Sequence, residues 1–407
     1  MRILSFLFVF LCSLPFVHAQ HAVELYPFTQ DRKWGFVDKS GTVVVPATYD
    51  RVHSFHEGLA AVERHQGRTG SSYITPRGNL GYIDGSGKRV IQMGFDPHSL
   101  GLAKFSNGRA AIASRGRYGY IDKTGEVVIR PEYETANPFH ESLALVRTFD
   151  KEVLVIDTSG NVLFSLLERT RTLVDSTVER VIYKNRTYQE GKIGVGFYRE
   201  GKGYTAVFDK SGALLFTSQI LFLHDYTDGV APATKDIRQN WGYIDAKGEL
   251  VGGFDYKTVS DFQDGLAVVK SAETGKMGII NRDFEFQVEP TYDLIFEERE
   301  SNVFLVEQRQ KYGYIDGAGN VLIDIQYESA MPFSEGLALV RQEDGTVLCL
   351  TKDAELVFSF DPSQEVLLNG GRLPSRRDIG FRDGLAVLIF KGVTKYVDRK
   401  GKIVAEH

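Results

Sequence analysis

The sequence predicts an all-β fold built as a tandem array of about ten small repeats, and three observations carry that prediction. The string Lys33-Trp34-Gly35-Phe36-Val37-Asp38 returns as Tyr118-Gly119, Trp241-Gly242 and Tyr312-Gly313, with weaker copies at Leu80-Gly81 and Met277-Gly278, each followed by two apolar residues and an Asp or Asn. The spacing between successive anchors has a base period of 35 to 38 residues, and self-similarity at a fixed period of this size marks a repeat architecture. No stretch carries a helical period with caps, apart from part of 166–181.

The anchor residues are Asp38, Asp84, Asp122, Asp157, Asp209, Asp245, Asn281, Asp316, Thr351 and Asp398. Three longer spacings place insertions near residues 63–79, 166–203 and 361–379. Each unit offers three strands. The Leu-Ala strand follows the pattern Phe-x-Glu/Asp-Gly-Leu-Ala-x-Val, with copies starting at Phe55, Phe105, Phe139, Phe262, Phe333 and Phe381. Its small and branched residues on both sides predict that both faces are covered. The Trp-Gly strand places an aromatic and then a β-branched residue before the anchor, as in Tyr120-Ile121, Tyr243-Ile244 and Tyr314-Ile315, residue types that suit a pleated, buried surface. Its glycine suits a place where another backbone or a large ring presses close. A turn of the form Asp-x-x-Gly follows at Asp38–Gly41, Asp122–Gly125, Asp245–Gly248 and Asp316–Gly319. The Asp accepts N–H groups of its own turn, and the Gly takes a positive φ. Phe284 and Ala354 replace that Gly in two copies. A trailing strand such as Val43-Val44-Val45 or Val127-Val128-Ile129 completes the unit, and Pro46, Pro131 and Pro290 are expected to stop it.

A three-stranded unit cannot hide its apolar face alone, so neighbours must stack. The period is shorter than the 40 to 45 residues usual for a propeller blade, and the two ends of the array are in phase, with no split unit to clasp them. The expectation is therefore an open or incompletely closed stack, solenoid-like. One or two β-propellers, dividing near 165–205, are the alternative.

Residues 1–19 read as a secretory signal. Arg2 is followed by an apolar run from Ile3 to Leu14 and by Val17-His18-Ala19 as a cleavage site. The domain expectation is thus 1–19 as signal peptide and 20–407 as the repeat array, degenerate around the insertion near 165–205. No other apolar run is long enough to span a membrane. Beyond the signal, 47 Lys+Arg stand against 53 Asp+Glu with the signs interspersed, which argues against nucleic acid and against a polybasic membrane contact. The 27 Phe and 19 Tyr allow a large core. Cys12 leaves with the signal, and Cys349, inside the apolar run Val347-Leu348-Cys349-Leu350, reads as a buried small hydrophobe.

The string around Trp34, with Pro46, Tyr49-Asp50 and Phe55-x-Glu57-Gly58-Leu59-Ala60-x-Val62, resembles the WG-repeat (or KWG-repeat) family over essentially residues 23–404. Copies four, five, nine and ten depart from it most, carrying Val153-Leu154, Thr205-Ala206, Val347-Leu348 and Thr394-Lys395 at the Trp-Gly positions. The resemblance implies a bacterial β-repeat protein, often exported, with no defined enzymatic activity and no catalytic residue to carry over.

Repetition also filters the search for chemistry, because a residue present in every unit serves what every unit needs. The recurrent Asp anchors read as turn residues, since a calcium loop needs several converging oxygens. Glu57, Glu141, Asp264, Glu335 and Asp383 read as caps for local N–H groups. Aromatic–acid pairs such as Tyr133-Glu134 read as packing. His53 and His56, beside Glu57, lack a third ligand at useful spacing and read as solvated surface. Gly191 to Gly196 does not lie between strand and helix and is no dinucleotide site. No catalytic, cofactor-binding or metal-binding residue is assigned, and no cofactor is expected. Recognition is expected from loops that break the pattern, namely 67–79 and the basic stretch with Arg372, Arg376 and Arg377. The functional expectation is an exported, non-catalytic binding or scaffold protein, secreted or in the periplasm or cell envelope, that engages a protein or an envelope polysaccharide. A glycan hydrolase and a purely architectural spacer are the alternatives.

Overall fold

The computed structural model describes residues 25–30, 33–38, 41–64, 80–96, 104–183, 187–220, 222–235, 240–297, 300, 302–368, 380–382 and 384–406. Their strands form nine antiparallel sheets, each a meander. Unit one holds Leu25–Gln30, Lys33–Asp38 and Val43–Tyr49. Unit two adds a short leading strand, Arg51–Val52, before Leu59–Glu63, Leu80–Asp84 and Arg89–Phe95. Four-stranded units, not three-stranded ones, are the common form. The leading strand is only two residues long, too short to show a periodicity. One seven-stranded sheet holds units six and seven together, because the long strand Leu250–Val259 pairs with both Trp241–Asp245 and Leu266–Ser271. Ten repeats thus occupy nine sheets.

The Leu-Ala strands are covered on both faces, as expected: all five residues of Leu59–Glu63 are buried. The glycine of the Trp-Gly strand is explained by what lies over it. In unit three Tyr118 pairs with Tyr133, and Tyr120 with Ile129. The Trp-Gly strand advances two residues between these pairs and the trailing strand four. The surplus bulges across Gly119, where a Cβ would lie 2.3 Å from the Ile129 oxygen and 2.7 Å from the Pro131 nitrogen. Gly35 meets the Val45 oxygen at the same 2.3 Å. The prolines belong to this bulge. Contrary to expectation they do not stop the trailing strand, which runs through them as Val43–Tyr49, Val127–Tyr133 and Phe286–Tyr292. A strand at a sheet edge tolerates Pro because its missing N–H faces no partner, and the bulge and ring together blunt that edge against further pairing.

Among the described residues ten hydrophobic cores hold the units together, each shared by two neighbours. Ala111, Tyr120 and Ile129 of unit three meet Ala144, Val146 and Ile156 of unit four. Tyr314 and Ile323 of unit eight meet Phe333 and Val340 of unit nine. The tenth core joins unit ten to unit one: Leu385 and Tyr396 pack with Tyr26, Phe28 and Val37. Backbone contacts repeat in the same sense. The glycine of each Asp-x-x-Gly turn lies on the trailing strand of the preceding unit, as Gly125 does on Ile91, Gly160 on Ile129 and Gly248 on Phe216. Gly41 lies on Val404, and the Tyr396 hydroxyl donates to the Pro27 carbonyl across the same interface. The array is therefore a closed β-propeller and not the open stack. Closure needs no split unit, because face-to-face packing of the last unit on the first does the work of a strand clasp.

The expected helical segment exists as Leu166–Leu173, capped by the Ser165 hydroxyl, which accepts from Glu168 N at 3.2 Å. Its Leu166 enters the core between units four and five. Alternation of strand direction puts the leading-strand turns and the Asp-x-x-Gly turns at one end of every sheet. Glu63 and Leu80, which flank residues 65–79, and the start of the connection carrying the helix lie at the opposite end.

Candidate functional surface

The turn end of the ring is built from two recurring devices. In the Asp-x-x-Gly turn of unit three, Asp122 Oδ1 accepts from Thr124 N at 2.9 Å, Thr124 Oγ1 at 2.6 Å and Glu126 N at 3.0 Å. The Thr124 hydroxyl, against the opposing effect of burial and with help from the two N–H groups, holds the Asp122 carboxyl below its ordinary pKa. Asp316 Oδ1 likewise accepts from Ala318 N and Asn320 N, both at 2.9 Å, Asp245 Oδ1 from Lys247 N and Glu249 N, and Asp38 Oδ1 from Thr42 N at 3.0 Å. Each of these carboxylates is committed to its own turn. Gly41, Gly125, Gly248 and Gly319 take the predicted positive φ, between 80° and 88°. Phe284 and Ala354, which replace the glycine, are held at φ 62° and 61°, so the turn dictates the backbone even without it.

The second device joins neighbours. Glu57 Oε2 accepts from Gly108 N at 3.0 Å, Glu141 Oε2 from Gly191 N at 2.9 Å, Asp228 Oδ2 from Gly265 N at 3.1 Å, and Glu335 Oε2 from Gly384 N at 2.8 Å. The acceptor and donor of each bond sit on equivalent turns of successive units. Basic residues after the turn Asp reinforce the belt: Lys123 meets Glu57 at 3.1 Å and Lys210 meets Glu141 at 2.9 Å. Burial alone would raise the Glu141 carboxyl; Lys210 and Gly191 N outweigh it and keep the value low. For Glu57, Glu141 and Glu335 the expectation that these acids cap N–H groups is right in kind, but the N–H groups belong to the next unit; Asp383 lies outside the described residues. A single repeat read alone cannot show this, because donor and acceptor lie about one period apart.

At the opposite end the Trp-Gly aromatics stand beside a trailing-strand Tyr: Trp34 pairs with Tyr49, Tyr118 with Tyr133, Trp241 with Tyr256 and Tyr312 with Tyr327. These tyrosines are 5 to 7 % exposed, which supports packing over sugar contact for the aromatic–acid pairs. The acid of each pair is engaged as well. Asp50 accepts from Lys33 Nζ at 2.5 Å and Asp293 from Lys276, while Glu134 accepts from Lys151 and forms an ion pair with Arg147, Nε 3.0 Å from Oε2. In units one and seven the Lys before the Trp-Gly position and the acid after Tyr are two halves of one ion pair, set 17 residues apart.

Cys349 is fully buried, and burial pushes its thiol up to about 12, the setting of an inert thiol. His53 departs from the expected solvated position. Its side chain is 14 % exposed, with Nε2 3.4 Å from Glu63 Oε1, and Arg51 NH1 lies 3.9 Å from Glu63 Oε2. Glu63 itself is 1 % exposed; its register position is held by Glu307 in unit eight and by Ser114, Arg147 and Thr234 in other units. Among the described residues no three His, Cys, Asp or Glu side chains are grouped to hold a metal ion, and no helix is long and apolar enough to cross a membrane. Arg372, Arg376 and Arg377, and all of 67–79, lie outside the described residues.

The family model described as "WG containing repeat" matches residues 34–65, 118–151, 241–272, 277–312 and 312–345. No match is found among curated proteins. Solved structures that resemble the chain include a eukaryotic initiation factor (11 % identity, 83 % of this chain and 85 % of that one, TM-score 0.44). The Dos1 propeller matches with 11 % identity, 74 % and 90 % coverage and a TM-score of 0.37. BamB from Moraxella catarrhalis matches with 10 % identity, 94 % and 93 % coverage and a TM-score of 0.25. At TM-scores this low the propeller assignment rests on the ten shared cores and not on these likenesses.

Proposed function

Because the chain belongs to the WG-repeat family and its repeats close into a propeller, we propose that it is a non-catalytic binding platform, exported to the cell envelope or exterior, for a protein or polysaccharide partner. One observation carries the reading. The recurrent polar groups that could have served chemistry are consumed by the fold: turn carboxylates by their own N–H groups, belt carboxylates by the next unit, and the acids after Tyr by lysines and arginines. What is left for recognition is the segments that break the repeat, above all the insertion at 64–79 and the helix-bearing connection between units four and five. The signal pattern ending at Val17-His18-Ala19 supports export. A rigid ring that displays non-repeated loops is suited to recognition, since loops held by a fixed scaffold lose little freedom on binding.

Crosslinking in intact cells, followed by the same experiment on a variant lacking residues 67–79, tests the proposal. A reproducible partner whose capture falls with the deletion is expected, along with a signal-dependent exported location. Release of reducing ends when the purified protein is incubated with envelope glycans would overturn the non-catalytic reading.

A further inference from the structure

The ten interfaces share one geometry but differ in how they are tied. At nine of them the chain itself passes from one unit to the next, often with a single residue between strands: Val43–Tyr49 leads into Arg51–Val52, and Val321–Tyr327 into Ser329–Ala330. The tenth joins residues 369 positions apart through contacts alone. Its core is also the smallest. Five buried residues (Tyr26, Phe28, Val37, Leu385 and Tyr396) form it among the described residues, where the others have seven to thirteen. The Tyr396 hydroxyl crosses this interface to the Pro27 carbonyl, as the tyrosines at the same repeat position cross interior interfaces, Tyr120 to Asn137, Tyr243 to Ser260 and Tyr314 to Met331. Only the acceptor differs: Pro27 lies in the Leu-Ala strand of unit one, at the register position from which Ala61 gives its carbonyl to His53 N and Leu145 to Asn137 N.

We infer that the ring has a built-in opening point: the interface between units ten and one separates before any other, swinging unit one away while the remaining nine interfaces stay packed. A peptide tether keeps two separated faces close and makes their re-docking fast; the seam lacks that tether. Structures open locally where buried apolar contacts are fewest, and here the smallest core coincides with the untethered interface. Opening uncovers Tyr26, Phe28, Val37 and Tyr396 together, an apolar face that the closed ring hides.

Thiol labelling under native conditions tests this. Val37 and Ile315 occupy the same repeat position, are both fully buried and both face the preceding unit. The Val37→Cys variant is expected to react with a maleimide at least about tenfold faster than the Ile315→Cys variant, a difference of about 1.4 kcal/mol in opening, with native Cys349 as an internal buried reference. Leu385→Cys, on the other side of the seam, gives an independent reading should Val37→Cys fold poorly. Adding Tyr396→Phe removes one hydrogen bond and is expected to raise seam labelling about fivefold while leaving Ile315→Cys unchanged. Equal labelling at seam and interior positions, or a Tyr396→Phe effect spread over all positions alike, overturns the inference.

Discussion

Gly119→Ala tests why the repeat needs its second letter. The added Cβ would sit 2.3 Å from the Ile129 oxygen and 2.7 Å from both the Arg130 carbonyl carbon and the Pro131 nitrogen. All three are backbone atoms of one bulge, so no side chain can turn aside, and relief requires the trailing strand to shift. Overpacking of a well-packed site costs about 1–3 kcal/mol, and a backbone obstacle places this case near about 3. Replacing Gly by Ala also restricts the unfolded chain, which contributes about 0.4–1 kcal/mol in the opposite direction. The net expectation is a loss of about 2 kcal/mol. With a urea slope of about 3 kcal/mol/M, the unfolding midpoint falls by about 0.7 M. Gly58→Ala is the control. Gly58 has φ +86° and no atom within 4 Å of the added carbon, so only the left-handed backbone term of about 1–2 kcal/mol, less the same unfolded-state gain, applies. A Gly119→Ala protein as stable as the parent, or more stable, would refute the close-approach account, because that is what the unfolded-state term alone produces.

Three further outcomes follow from the same geometry. Tyr314 is fully buried, donates to the Met331 carbonyl at 2.6 Å and meets Phe333 edge-on at 4.8 Å between ring centres; Tyr314→Phe keeps the ring contact, strands a buried carbonyl and is expected to cost about 1–2 kcal/mol in urea unfolding, and a neutral result would deny that hydroxyl a role in joining units eight and nine. Cys349 is expected to ignore thiol reagents at pH 8 in the folded protein and to react once urea unfolds it; rapid native labelling would contradict its burial. The turn carboxyls of Asp122 and Asp157, lowered chiefly by the Thr124 hydroxyl and the Asn161 amide, bind protons less readily folded than unfolded. Their contribution is therefore present above the ordinary Asp value of about 3.9 and is lost as pH falls through the lowered values. The melting temperature should be flat from pH 7 to about 5 and fall steeply below about 4, and Asp122→Asn should soften that fall; a melting temperature that rises toward pH 3 would reverse the sign.

What the sequence made legible was whatever a single unit contains. The Asp-x-x-Gly turn, the covered Leu-Ala strand, the buried tyrosine before the anchor and the crowding over the glycine are all local, and the structure places each as the residues suggested. What stayed hidden was set between units. Glu57 caps Gly108, a full period away, and no pattern within one repeat announces the direction of that bond. The leading strand escaped because two residues such as Arg51–Val52 are too few to alternate. Pro46 misled because Pro was read as a stop, whereas at a bulged edge it is a strand residue. Closure was least legible of all: Tyr26, Phe28 and Tyr396 are ordinary apolar and aromatic choices, and only their meeting across 369 positions gives them meaning.

Small-angle scattering from the purified protein measures that meeting most directly. A compact chain of this length has a radius of gyration of about 21–22 Å, and a closed ring should fall close to it. Ten units stacked about 10 Å apart in an open array would make a rod about 100 Å long, with a radius of gyration of about 29 Å. A value in the low twenties, with a maximum dimension well short of that rod, is what the ring requires. A value near 29 Å with a rod-like distance distribution would mean that Leu385 and Tyr396 never reach Tyr26 and Phe28.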